Sequence, residues 1–370
     1  MTKSLRVCML LKNLIKNISK DKKDIIIKGL STSSETVKKN FIFFAIKGNK
    51  NNGENFIKEA INKGASVIVC SKSCRINHNK VLIIKTKNIR YLLSDICSKF
   101  YKLKPKNIVA VTGTNGKTSV ADLFYQILRF NKIPVASIGT LGIKYNSKTI
   151  KTDLTSPDTI TLHKNLQFLK KKKIENVIIE TSSHGLDQKR LHHINFKGAI
   201  FTNFSQDHLD YHKTMKSYLN AKLILFREIL KSRSTIISDQ EIRIYSFLKK
   251  IAKRKNLKLL NIKKEFEGIK NNYSNFNSEF KIKNLAMAIK AAKLCNLSED
   301  SIHKSIKNLK DVNGRLELIR EYPCGIKVFV DYAHTPDALI KTVKSLKNEF
   351  GNNISLVFGC GGERDFKKRP

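Results

Sequence analysis

The sequence predicts an α/β fold built on a parallel, doubly wound sheet. Three observations predict it. Short apolar runs rich in Val and Ile alternate with helix-length segments, the pattern of parallel strands joined by crossover helices. One such run, Ile108–Thr112, passes through a glycine turn directly into a segment with apolar residues at helical spacing. The chain also has 370 residues, 41% hydrophobic and 27% charged, a globular composition long enough for two or three domains.

The elements follow in order. Strands are expected at Ile25–Ile27, Phe41–Ile46, Val67–Cys70 and Val81–Ile84. The polar stretch Lys102–Asn107, which contains Pro105, sets a first boundary after residue 104. Beyond Ile108–Thr112, strands are expected near Val177–Thr181, Ala199–Thr202 and Thr235–Ser238, with Asn271–Asn277 as a polar loop. Asn313-Gly314 marks a turn and a second boundary. Leu316–Ile319, Lys327–Asp331, a helix from about Pro336 and a strand Ile354–Phe358 then open a third α/β unit. The residues from there to Pro370 are too few to complete a doubly wound sheet. The expected domains are therefore 1–104, 105–313 and an incomplete 314–370.

Charge and cysteine content narrow the class. Lys and Arg number 71 against 30 Asp and Glu, a formal net charge of +41. Most of this is Lys, spread through every segment with Asn and Ile, as expected of AT-rich coding drift. A dedicated nucleic-acid binder concentrates its charge in a stripe and relies on Arg. No specific nucleic-acid partner is expected. The seven Cys include no CxxC pair, so neither a disulfide framework nor a four-ligand zinc site is indicated, which points to a reducing cytoplasm. The apolar run Val7–Leu11 is broken by Lys12, too short for a signal core or a membrane span.

The phosphate loop is the strongest local signal. After Thr112 the chain reads Gly113, Thr114, Asn115, Gly116, Lys117, Thr118, Ser119, and Val120, Leu123, Phe124, Ile127 and Leu128 then share one helix face. Successive backbone N–H groups at such a helix start can cradle phosphate. Lys117 would reach the β- and γ-phosphates of ATP, and the Thr118 hydroxyl would sit on Mg²⁺. The spacing departs from the strict GxxxxGK[ST] pattern, because Val111 stands where the first glycine belongs.

Downstream, Glu180 ends an apolar strand at a carboxyl edge, where parallel sheets bind ligands. It is either a magnesium ligand or a solvated loop acid. Asp207, His208, Asp210 and His212 crowd a second strand end, and a catalytic loop near phosphate explains them more economically than zinc. Lys222 lies among apolar neighbours. It is either a snorkelling stem or a lysine desolvated enough to react with CO₂ and ligate metal as a carbamate. His78, His163, His192, His193 and His303 belong to no constellation and are expected to be ordinary histidines.

TGTNGKT at 112–118, ETSSHGLDQKR at 180–190, FTNFSQDHLDYH at 201–212, DYAHTPDAL at 331–339 and GCGGERDFKKRP at 359–370, in this order, resemble the Mur ligase family. Phe43–Gly48 with the following NGENFIKEAINKGA looks like that family's nucleotide-sugar domain. The narrower motifs match the members that add the third peptide residue to the cell-wall precursor. The resemblance implies a three-domain architecture with a central P-loop-type parallel sheet and an incomplete C-terminal Rossmann-like domain. It implies an ATP-dependent amide ligase working through an acyl phosphate on UDP-MurNAc-L-Ala-D-Glu and a diamino acid, meso-diaminopimelate. Such an enzyme would serve peptidoglycan synthesis in the cytoplasm as a monomer.

Position by position, the resemblance makes Lys117 and Thr118 ligands of ATP phosphate and Mg²⁺. Glu180 and His208 become metal ligands, and Lys222 a carbamylated one. Arg315 and Asp331 would contact ADP phosphate and ribose, with Asn284 near adenine. Thr155, Ser156, Ser182, Gln188 and Arg190 match positions that bind the muramoyl dipeptide, Ser34 a uridine-site serine, and Arg364 an arginine for the incoming amino acid. Two departures stand out. The family's Asp-Ser-Arg reads Ser33-Ser34-Glu35 here, and the family's selector between diaminopimelate and lysine falls outside this sequence. Two other readings share some of these features: a folylpolyglutamate-type ligase, and a shortened chain that binds nucleotide without catalysis.

Overall fold

The computed structural model of the chain describes residues 8–16, 18–48, 51–273 and 278–359. They fall into two units. The first draws on Met1–Lys104, Asp158–Lys172 and Gln188–Ile194, and the second on Pro105–Pro157, Lys173–Asp187 and Asn195–Pro370.

In the first unit a short antiparallel pair, β1 (Met9–Leu10) and β2 (Ile26–Ile27), precedes a four-stranded parallel sheet. That sheet has the order β3 (Gly29–Ser31), β4 (Phe41–Phe44), β5 (Ala65–Ser71), β6 (Leu82–Thr86). Side chains alternate across it, as a strand period of two requires. Ile42, Phe44, Val67 and Val69 face one core with Leu93, Ile96 and Phe100 of the helix Ile89–Phe100. Phe43, Ile68 and Cys70 face the other with Ile57 and Ala60 of the helix Ile57–Asn62. Both faces are covered, which explains why these strands read as continuous apolar runs.

In the second unit an eight-stranded sheet has the order β10-β9-β8-β11-β7-β12-β13-β14. Here β7 is Asn107–Thr112, β8 Val135–Gly139, β9 Gly142–Tyr145 and β10 Lys148–Ile150. The others are β11 Asn176–Glu180, β12 Gly198–Phe201, β13 Thr235–Ser238 and β14 Lys258–Asn261. Six strands, β8-β11-β7-β12-β13-β14, run parallel, and the β9–β10 hairpin extends one edge antiparallel. From β7 the chain crosses to β8, returns to β11 on the near side, and then lays β12 on the opposite flank of β7. The winding direction therefore reverses at the carboxyl end of β7, where open α/β sheets bind ligands.

The core of this unit joins Val109 and Val111 of β7 to Val120, Phe124, Ile127 and Leu128 of the helix Lys117–Phe130. Ala286, Ala288, Ala291 and Ala292 of the helix Glu279–Leu294 belong to the same core, small side chains that let helix and sheet approach closely.

The C-terminal residues open with an antiparallel pair, β15 (Glu317–Glu321) and β16 (Lys327–Val330), then the helix Pro336–Phe350. Thr335 caps that helix by accepting from the Ala338 N–H, with Pro336 at the first position. The strand expected at Ile354–Phe358 does not form. Leu356, Val357 and Phe358 stand exposed with no ladder beside them among the described residues, and an extended run becomes a strand only when paired. Among the described residues no helix is long and apolar enough to cross a membrane.

His163 is the ordinary core histidine the sequence suggested, fully buried on the helix Thr159–Lys171. Burial pushes its imidazole down to about 3 from the usual value near 6.5, with Lys104 and His193 adding to the effect. Between those two values the unfolded chain carries a proton that the folded chain does not, so stability falls as pH falls through the window. His163→Phe is expected to flatten the dependence of the urea midpoint on pH below 6.5, by about 1.4 kcal/mol per pH unit at most.

Candidate functional site

β7 delivers the chain to Thr112, whose hydroxyl donates to the Thr181 carbonyl at 2.9 Å. The turn that follows depends on two glycines. Gly113 has φ 144°, and a Cβ there would collide with the Thr202 hydroxyl. Gly116 has φ 84°, and a Cβ there would lie 2.5 Å from Asn284 Oδ1. The segment after β12 fixes the shape of the turn. Thr114 N–H donates to Asn203 O at 3.0 Å, Asn115 N–H to Asn203 Oδ1 at 2.9 Å, and the Thr202 hydroxyl to Asn115 O at 2.6 Å. No side chain caps the helix Lys117–Phe130 that begins here. Its first-turn N–H groups and positive dipole end are thus presented together, an anion site by construction.

A half-buried lysine and a fully buried one meet on one carbonyl. Lys117 Nζ donates to Gly113 O at 3.0 Å and to Thr114 O at 2.6 Å, while Lys222 Nζ donates to Gly113 O at 2.7 Å. Lys222 belongs to the helix Met215–Ile224, is only 1% exposed, and places Nζ 4.4 Å from the Tyr218 ring centre. Burial pushes both amines down. For Lys117 the charges of Glu180 and Asp207 oppose the shift, whereas for Lys222 the neighbouring Lys117 deepens it, well below the usual lysine range. Of the two, Lys222 is the more strongly depressed.

Glu180, at the end of β11, is 2% exposed and wrapped in donors. Thr118 Oγ1 donates to Oε2 at 2.9 Å, and Thr140 N–H to Oε1 at 2.9 Å, with the Thr140 hydroxyl 3.3 Å from Oε2. Burial raises its pKa, and the Lys117 charge, the Thr140 and Thr118 hydrogen bonds and Arg315 pull it back. Arg315 Nη2 donates to the Thr118 hydroxyl at 3.1 Å, with its guanidinium 4.3 Å from the Tyr332 ring centre.

His208 has φ 54° and its backbone N–H donates to Asp207 Oδ1 at 2.8 Å, with Nε2 3.4 Å from Oδ2. Its ring lies edge-on to His184, 4.9 Å between centres. Burial drives its pKa down, Asp207 opposing, so the imidazole is neutral. Next to the loop, Ser119, Leu123, Tyr273, Phe280, Asn284 and Arg315 are among the residues lining a cavity of about 520 Å³, a nucleoside-sized space.

The other sequence-nominated positions separate clearly. Ser156 Oγ donates to Glu180 O at 2.9 Å and accepts from Ser182 N–H at 2.8 Å, and Thr155 Oγ1 lies 3.2 Å from Thr140 Oγ1. These three therefore surround Glu180. Asp331 accepts from the Thr342 hydroxyl at 2.7 Å. In the first unit, Ser34 donates to Glu59 Oε2 at 2.8 Å, and Arg190 Nη2 to Gln188 Oε1 at 2.7 Å. Arg364 lies outside the described residues. Sequence reasoning missed Asn203, which shapes the phosphate turn, Thr140, which holds Glu180, and the cavity walls Tyr273 and Phe280. Only Asn203 had a signal, since it lies inside the FTNFSQDHLDYH motif.

The Mur ligase middle domain matches residues 111–306, the Mur ligase glutamate ligase domain 314–370, and the Mur ligase family catalytic domain 26–101. The chain belongs to the Mur ligase family. As a Mur ligase it is an ATP-dependent enzyme that joins an acid to an amine. Its relatives include the UDP-N-acetylmuramoyl-L-alanyl-D-glutamate–2,6-diaminopimelate ligase of Rickettsia montanensis. That protein is 38% identical, over 93% of this chain and 76% of its own length. The ligase of the same name from Wigglesworthia glossinidia brevipalpis is 36% identical, over 99% of this chain and 80% of its own length. A solved structure of a ligase of that name superposes with a TM-score of 0.75 at 25% identity, covering 98% of this chain and 78% of that one. A Mycobacterium tuberculosis folylpolyglutamate synthase complexed with ADP and AMPPCP shares the fold at TM-score 0.56 and 17% identity, over 70% of each chain.

In this Mur ligase the phosphate turn tolerates no side chain at Gly116. Gly116→Ala is expected to weaken ADP binding by at least tenfold while leaving the circular dichroism spectrum unchanged, measured by titration calorimetry.

Proposed function

We propose that the chain joins meso-diaminopimelate to the D-Glu carboxylate of UDP-MurNAc-L-Ala-D-Glu, forming the third peptide link of the peptidoglycan precursor. Supporting this reading are the relatives' names together with the site residues that the ligase chemistry needs. One observation carries it: an uncapped helix start, the half-buried Lys117, the fully buried Lys222 with its pKa pushed well down, and the buried Glu180 carboxyl group meet at the carboxyl end of β7.

A carboxylate is a poor electrophile and must be activated. One of its oxygens attacks the γ-phosphorus of ATP, the bond to the β-phosphate oxygen breaks, and ADP leaves. The amine then attacks the acyl carbon and loses a proton, and inorganic phosphate departs as the amide forms. Loop N–H groups, Lys117 and Arg315 hold and neutralise the polyphosphate, so positioning and electrostatics do most of the catalysis. The 520 Å³ cavity takes the nucleoside, with Asn284 on its wall and Asp331 assigned to the ribose. Ser34, Gln188 and Arg190, and separately Thr155, Ser156 and Ser182, are assigned to the sugar-peptide, and Arg364 to the incoming amino acid.

Thr118, Glu180 and His208, with Lys222 as a carbamate, are the proposed holders of Mg²⁺, which would supply charge neutralisation to the polyphosphate. The donor chemistry fits: hard oxygens dominate, and burial pushes the Lys222 pKa down, favouring the unprotonated amine that combines with CO₂. Among the described residues no three His, Cys, Asp or Glu side chains come close enough to cage a metal. The enzyme is proposed to act as a cytoplasmic monomer, and through peptidoglycan to serve cell shape and division.

The test mixes the purified chain with ATP, Mg²⁺, UDP-MurNAc-dipeptide and either diaminopimelate or lysine, and scores phosphate and tripeptide. Tripeptide with diaminopimelate supports the reading, and absence of product with both amines overturns it. Lys117→Ala is expected to lower turnover by about 10²-fold or more. Lys222→Ala is expected to lose activity and regain part of it with added short-chain carboxylates. Full activity without them would make Lys222 a packing residue.

A further inference from the structure

Ser119, Leu123 and Gln126 stand at positions i, i+4 and i+7 of the helix Lys117–Phe130, on one face. The first two line the 520 Å³ cavity. The third touches the chain that forms its opposite wall. Leu309, Lys310, Asp311 and Val312 line the cavity but belong to no helix or strand. The backbone of this segment is held at the ends by turn bonds, Leu309 N–H to Ile306 O at 3.2 Å and Arg315 N–H to Val312 O at 2.9 Å, so between them Lys310 depends on side chains that reach it.

Gln126 supplies that hold in both directions. Its Nε2 donates to Lys310 O at 3.1 Å, and its Oε1 accepts from Lys310 N–H at 2.9 Å. The pair imitates one rung of a β-ladder. The second Nε2 hydrogen goes to Asp122 Oδ2 at 2.8 Å, and Asp122 is in turn held by Lys144 at 2.5 Å. Asp122 is 4% exposed and accepts only, so it dictates which end of the amide faces it. A flipped Gln126 would set its oxygen against both the Asp122 carboxylate and the Lys310 carbonyl. Lys281 steadies the same segment from the other side, 3.3 Å from Asp311 Oδ1 and from Leu316 O.

We propose that Gln126, oriented by Asp122, is a positioning residue that sets the nucleoside-binding wall Leu309–Val312. This rests on the reading of the cavity as the nucleoside site. Gln126 then governs the share of nucleotide affinity that comes from the nucleoside, and leaves the phosphate grip of the loop alone.

Two probes separate these shares: ADP, and inorganic tripolyphosphate, which has no nucleoside. Both are titrated with Mg²⁺ into the wild-type chain, Gln126→Met and Gln126→Glu, with thermal midpoints recorded alongside. Methionine keeps the volume and the helix propensity but makes none of the three hydrogen bonds. Losing two hydrogen bonds to the backbone should weaken ADP binding about tenfold in Gln126→Met. Tripolyphosphate should bind within twofold of wild type. Gln126→Glu should weaken ADP at least as much, because its carboxylate would face Asp122 and the Lys310 carbonyl. In turnover, KM for ATP should rise about tenfold with kcat changed less than twofold. Unchanged ADP affinity in both variants overturns the proposal, and so does equal weakening of the two probes, which is the mark of a general structural effect. If the wild-type chain binds tripolyphosphate but not ADP, the nucleoside reading of the cavity fails first. If it binds neither, the phosphate-loop reading itself falls.

Discussion

The carbonyl of Gly113 is the point on which the site turns. It accepts from two amines, Lys117 at 3.0 Å and Lys222 at 2.7 Å. Two ammonium groups at such range inside a protein would repel by several kcal/mol even at a generous effective dielectric. Burial together with the charge of Lys117 lowers the pKa of Lys222 well below the usual lysine range, which eases that conflict. Gly113 can offer its carbonyl this way only because its φ of 144° turns the peptide away from ordinary strand geometry. A single backbone oxygen thereby couples the start of the Lys117–Phe130 helix to the Met215–Ile224 helix across the carboxyl edge of the sheet.

Glu180 provides the counter-charge. Its carboxylate is buried yet surrounded by the Thr118 hydroxyl and two groups of Thr140, with Arg315 reaching Thr118 from the C-terminal segment. A buried carboxylate is tolerated when hydrogen bonds replace its hydration and nearby cations balance it. Ser156 and Ser182 fix the backbone around it, so several residues assigned to the sugar-peptide also support the carboxylate that faces the phosphate loop. One network thus serves both roles. That makes functional substitutions at Thr155, Ser156 or Ser182 harder to separate from effects on Glu180.

The C-terminal segment meets the loop through contacts of unequal strength. Arg315 to Thr118 is a charge-assisted bond of 3.1 Å, whereas Asn115 Nδ2 reaches Thr335 Oγ1 and Asp337 Oδ2 only at 3.4 Å each. The stronger anchor lies close to Gly314, and the weaker ones lie past the β15–β16 pair. Residues 309–317 are therefore fixed at the cavity by Gln126, Lys281 and Arg315, while the following helix rests on the loop more lightly.

Elements whose partners lie on both faces were readable, because full burial writes itself into sequence as continuous apolar runs. β4, β5, β7, β11, β12 and β13 were all placed this way. β8, Val135–Gly139, was not, since its run carries Ser137 and Gly139 and becomes a strand only between β9 and β11. The edge strand β14 reads as Lys258-Leu-Leu-Asn261, half exposed and without alternation, and Ile354–Phe358 shows the converse, a strand-like run with no paired neighbour among the described residues. At the site the same distinction holds. Lys117, Thr118 and Glu180 are legible because their roles follow from position within one strand–turn–helix or strand–loop unit. Lys222 is not. The depression of its pKa depends on burial and on Lys117, more than a hundred residues away in sequence, so composition and spacing leave the snorkelling and carbamate readings open. Gln126 is further still from legibility. A glutamine on an amphipathic helix looks like ordinary surface, and only the arrangement of Asp122 on one side and an unladdered backbone on the other gives its amide a direction.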